Sequence, residues 1–176
     1  MDKIQWVLFV VGTEFAVAIT ILYWTLFYDP HSKHNFFSLD SLHVHLLNGI
    51  AAVVNFWLAG VPVRLYHALY SVLFAVSYVV FTGVYYAAGG TDPMGNSFIY
   101  PFLNYESNSS LAVGLGVVCA LLLMTAIHLV FFLLFVVRSW ITCYVQRKFY
   151  SKTLFCSRGS LVYSHVDSSC NETAVE

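Results

Sequence analysis

Charge is what this sequence has least of. Eight Lys and Arg and nine Asp and Glu make up 10% of its 176 residues, where a soluble domain carries about a quarter. A water-facing surface cannot be built from so few ions. A net charge of −1 is not the strongly basic balance of a nucleic-acid binder, so nucleic acid is not an expected partner. Cysteine is scarce at four residues, and its spacing matches no zinc pattern. The segments "HSKH" and "HVH" carry His31, His34, His43 and His45 with Asp29 and Asp40 nearby. Their spacing is not diagnostic of a metal, and no metal site is expected. There is no internal repeat, no low-complexity block and no cofactor motif, so no cofactor is expected.

What the chain does have is apolar length. Hydrophobic residues reach 59%, with a mean hydropathy of +0.73, so lipid must be part of the solvent. Four stretches are long enough to cross a hydrocarbon core of roughly 30 Å, which takes about 20 helical residues. They are residues 4–28, 45–63, 66–88 and 110–137. Unpaired backbone groups find no partner in lipid, so each stretch is expected to be a helix. The fold class is therefore all-α: a polytopic transmembrane helical bundle of four spans over residues 1–140, followed by a flexible polar tail over 141–176.

The basic residues orient it. Lys3, Arg64, Arg138, Arg147, Lys148, Lys152 and Arg158 fall on one side of a four-span arrangement, and Lys33 alone falls on the other. The positive-inside rule then places both termini in the cytoplasm. The first span reads as an anchor, since it is too long for a signal-peptide core and no small-residue cleavage site follows it. Either the plasma membrane or an endomembrane suits these spans. The lipid bilayer is the expected partner, together with other membrane proteins or a lipid-like substrate.

Polar side chains inside the spans are costly and need partners. Glu14 lies about ten residues into the first span, roughly 15 Å deep. His128, counted back from the same side of the fourth span, reaches a similar depth, so the two can meet. Asn55, Ser77 and Thr82 add hydrogen-bonding groups at inner to middle depths. Two readings stand for Glu14 and His128: a clasp between helices, or proton handling of a transporter-like kind. In "SLDSLHVHLLNGI", residues 38–50, His45 and Asn48 share a helical face with Asn55 seven residues on. That stripe is expected to look into the bundle, which makes His45 the candidate catalytic histidine. Cys143 and Cys156, close to the membrane among basic and aromatic residues, are candidate palmitoylation sites on a reducing cytoplasmic side.

Four segments then occur in a telling order: "YWTLFYDP" at 23–30, "HLLNGIAAVVNFWL" at 45–58, "RLYH" at 64–67 and "YYAAGGTDPMGNSFIYPFLNY" at 85–105. The ordered set resembles the rolling stone proteins, multi-span membrane proteins named for a role in insect myoblast fusion. It is distantly similar to the androgen-induced-1 and FAR-17a group. The first resemblance implies a role in cell fusion or developmental membrane events. The second implies hydrolysis of fatty-acid esters of hydroxy fatty acids, by an intramembrane threonine with a histidine at the start of a span. His45 matches that histidine, and Tyr100 to Leu103 match a "YPFL" loop. The threonine belongs to a span ahead of the first one here, so the chain is expected to be short at its N-terminus. Thr13, Thr20 and Thr25 do not match the nucleophile position.

Overall fold

Backbone amides that leave water must bond within their own segment, and every long apolar run of this chain is helical. The computed structural model describes residues 3–27, 42–92 and 95–154; for Phe27, Leu42 and residues 149–154 it describes the backbone alone. The described residues form helices and turns and no strand. Helix α1, Lys3–Leu22, runs into a π-helical segment, Tyr23–Phe27. A second π-helical segment, Leu42–Leu47, leads into α2, Asn48–Ala59. Helix α3, Ala68–Ala87, begins with a 3-10 turn at Leu65–His67. Helix α4, Tyr105–Val118, passes through a third π-helical segment, Cys119–Leu123, into α5, Met124–Leu154.

Among the described residues three helical stretches are apolar and long enough to cross a membrane: Lys3–Leu26, Leu65–Ala87 and Tyr105–Lys148. The apolar helix His43–Ala59 is shorter. The third stretch is longer than one crossing needs, and α5 carries on past residue 140. The first part of the expected flexible tail is therefore helical, as far as Leu154.

The chain divides into two units, Met1–Phe131 and Phe132–Glu176. In the first, α1 packs against α2 and α3, and α3 packs against α4. The turn between α2 and α3 is tight because Gly60 closes α2 in the left-handed region, at φ 67°, which favours a residue with no Cβ. Val61 and Val63 then bury almost completely. The Trp6 indole N–H donates to the Pro62 carbonyl at 2.9 Å, tying the start of α1 to this turn. At the other end of α1 the Thr20 hydroxyl donates to the His45 carbonyl at 2.6 Å. A Cβ at Gly49 would strike Thr20 Oγ1, so α1 and α2 approach here only because residue 49 has no side chain.

The loop from α3 to α4 folds back onto those helices. Tyr105 OH and Thr82 Oγ1 lie 2.8 Å apart, and Leu103, Tyr105 and Ala112 form a small buried cluster with Tyr86, Tyr100 and Phe102 around it. Asn104 caps α4, its side-chain oxygen accepting from the Glu106 and Ser107 amides. Asn108 then leaves helical geometry, at φ −158°, and accepts from the Leu111 amide at 2.9 Å. The regular span starts after this second cap, close to the residue 110 expected from hydropathy. In the second unit, the Arg138 guanidinium lies over the Phe135 ring at 5.5 Å, and Trp140 stacks on Tyr144.

Candidate functional site

The deepest polar side chains of the first unit converge on one point. Glu14 from α1, Ser71 from α3 and His128 from α5 each have 0% of their surface exposed. Ser71 Oγ donates to Glu14 Oε2 at 2.5 Å. His128 Nδ1 lies 2.8 Å from Glu14 Oε1, and His128 Nε2 lies 3.0 Å from the Arg64 carbonyl oxygen. A carbonyl oxygen only accepts, so Nε2 must carry a proton. Two lone pairs cannot face one another at 2.8 Å, so a second proton lies between Nδ1 and Oε1. Whichever atom holds it, the Glu14 and His128 pair is neutral overall, as a pair cut off from water requires.

Alignment of α1 with the α2–α3 turn explains why these residues meet. Trp6 is level with Pro62 through its hydrogen bond. Eight residues on from Trp6 stands Glu14, and nine on from Pro62 stands Ser71. Arg64 extends the network, since its amide donates to His67 Nδ1 at 3.1 Å. His67 is 1% exposed, and its ring meets the Trp6 ring edge to face, with centroids 3.8 Å apart. One backbone residue in the turn is thus held by two histidines from different helices.

The sequence-derived expectations divide. Glu14 and His128 meet. Ser71 and His67 were not anticipated, although His67 closes "RLYH" and Ser71 follows it by one helical turn on the same face. Ser77 instead donates to the Leu73 carbonyl at 2.8 Å, and Thr82 serves Tyr105. The inward stripe of His45, Asn48 and Asn55 is not what forms: Asn48 and Asn55 are exposed, and the buried residues of α2 are Gly49 and Phe56. Packing decides the face, because Gly49 receives Thr20 and Phe56 meets the Phe131 ring at 4.8 Å. In addition, His45 lies in the π-helical segment, where i→i+5 bonding alters the turn per residue and breaks the spacing argument.

His45 itself is half-buried and stacks on Tyr23 with ring centroids 3.6 Å apart. Its Nδ1 is buried and has no hydrogen-bond partner among the described residues. Thr20 reaches the main-chain carbonyl of His45 rather than its ring. Cys143 stands on α5, and Cys156 lies outside the described residues. Among the described residues no cluster of His, Cys, Asp and Glu has the makings of a metal site. His31, His34, Asp29 and Asp40 lie outside them.

Comparison with known proteins supplies the context. A family model described as Protein rolling stone matches residues 1–152. The Drosophila melanogaster protein named Protein rolling stone is 30% identical over 105 residues, covering 60% of this chain and 38% of that relative. The chain therefore aligns with well under half the length of that curated relative. No solved structure matches.

Proposed function

We propose that this chain, which belongs to the rolling stone family, is a four-crossing membrane protein with both termini in the cytoplasm. It acts in cell fusion, including that of myoblasts, or in related developmental membrane events, and catalyses no reaction of its own. The observation that carries the non-catalytic part is the saturation of the buried clasp. Both oxygens of Glu14 and both ring nitrogens of His128 are spent on groups inside the bundle, which leaves neither side chain free for a substrate or a transported proton. Two features support four crossings. The twelve residues of α2 rise about 18 Å, and the six π-helical residues Leu42–Leu47 before them and the residues after Gly60 lengthen the crossing. The Trp6 to Pro62 bond brings the start of α1 level with the α2–α3 turn, which supports one shared side for Lys3 and Arg64. The test is depletion of the transcript in fusing muscle precursors with re-expression of the chain. Fusion should fall and be restored both by the native chain and by Glu14→Gln. Normal fusion after complete depletion would remove the reading.

A second reading, a hydrolase of lipid esters with His45 as general base, is favoured by one observation, the buried Nδ1 of His45, which has no partner among the described residues. It requires a nucleophile on that ring, and Thr20 is engaged elsewhere. Fatty-ester turnover by membranes carrying the full-length protein, lost in His45→Ala, would favour it. Turnover unchanged by that substitution would end it.

A further inference from the structure

Two carboxamides stand on the outer face of an apolar helix. Asn48 and Asn55 are exposed within the apolar stretch His43–Ala59, and neither side chain has a hydrogen-bond partner among the described residues. Lipid offers such a group nothing, and polar side chains at this depth serve as glue between helices. Their neighbours are small. Asn48, Ala52, Asn55 and Ala59 follow one another at spacings of four, three and four residues, the a and d seam of a helix pair. Ala52 between the asparagines and Ala59 beyond them let a second backbone approach closely. The helix is also the shortest of the apolar ones, and a short span is relieved by association.

We infer that this seam pairs with the same seam of a second copy of the chain, making a parallel α2–α2 contact about a two-fold axis along the membrane normal. The chemistry selects the occupant. A carboxamide carries both donor and acceptor, so it is complementary to another carboxamide. Two copies inserted with the same topology hold Asn48 at one depth and Asn55 at another, about 10 Å apart along the helix. Each asparagine then meets its own counterpart, as a self-complementary two-fold interface requires. The inference is independent of any role in fusion.

The experiment uses two differently tagged full-length copies in one membrane. A photo-reactive benzoylphenylalanine at Ala59, on the seam, should give an adduct of two copies; the same residue at Ile50, about 200° round the helix, should not. Asn48→Leu with Asn55→Leu should weaken co-capture of the tags by about tenfold, and Asn48→Gln with Asn55→Gln, which keeps the amides, should retain it. Both asparagines are exposed, so the variants leave the fold intact. Undiminished co-capture by the leucine variant, equal adducts from positions 50 and 59, no two-copy adduct from Ala59, or an adduct there to a different protein would each overturn the pairing.

Discussion

Replacing Glu14 separates a clasp from a proton site, because glutamine can satisfy every bond the carboxyl makes. In Glu14→Gln the side-chain oxygen accepts from Ser71, and the amide N–H donates to His128 Nδ1. His128 keeps its Nε2 proton on the Arg64 carbonyl. No charge remains and the second amide N–H is the one new orphan, so the cost should be about 1–2 kcal/mol. Glu14→Leu or His128→Leu is different, since each leaves part of the network buried without a partner. Breaking such a pair from one side costs about 3–5 kcal/mol, which for a chain of this size is a fall in Tm of roughly 6–20 °C. The double leucine variant leaves Ser71, which can turn to a carbonyl one turn back, and the Arg64 carbonyl. It should lose only about 1–3 kcal/mol, giving a favourable coupling in a double-mutant cycle. The assay is thermal unfolding of purified full-length protein in detergent, read by the fraction that remains monodisperse. Additive losses, or a glutamine variant as unstable as the leucine one, would refute the clasp.

Gly49→Val should open the contact between α1 and α2, since its branched side chain occupies the space of Thr20; a loss of about 1–3 kcal/mol is expected for overpacking, and unchanged thermal stability would show that the helices can part freely. Tyr105→Phe removes only the hydroxyl shared with Thr82 and should cost about 1 kcal/mol. Its signature is faster proteolysis of the loop at residues 88–104 with little change in the global midpoint; unaltered cleavage would count against this bond as the loop's fastening.

Much of the framework can be read from hydropathy. The expected third span, 66–88, differs by a residue at each end from the observed stretch Leu65–Ala87, because lipid-length apolar runs have few alternatives to helix. The meeting of Glu14 with His128 is legible from depth alone, since a carboxyl and an imidazole at one level share an incentive to pair. The face of α2 is not legible. Polarity suggested that Asn48 and Asn55 turn inward, yet burial follows the fit of Gly49 to Thr20 and of Phe56 to Phe131, and that fit depends on a neighbour no local pattern describes. Ser71 escaped for the opposite reason. A lone serine near a span end is unremarkable until the Trp6 to Pro62 bond fixes the height of α1 against α3.

The clasp has a consequence in time as well as in space. Its two halves are 114 residues apart in sequence, and a ribosome adding about 5–20 residues per second needs roughly 6–23 s to get from one to the other. Ser71 arrives about halfway through that interval, so a hydroxyl is the first companion that the Glu14 carboxyl acquires. Until His128 is made, the nascent chain holds an ionisable group at spanning depth without its ring. Weakening α3 should therefore reduce how much protein is successfully made before it reduces how stable the finished protein is.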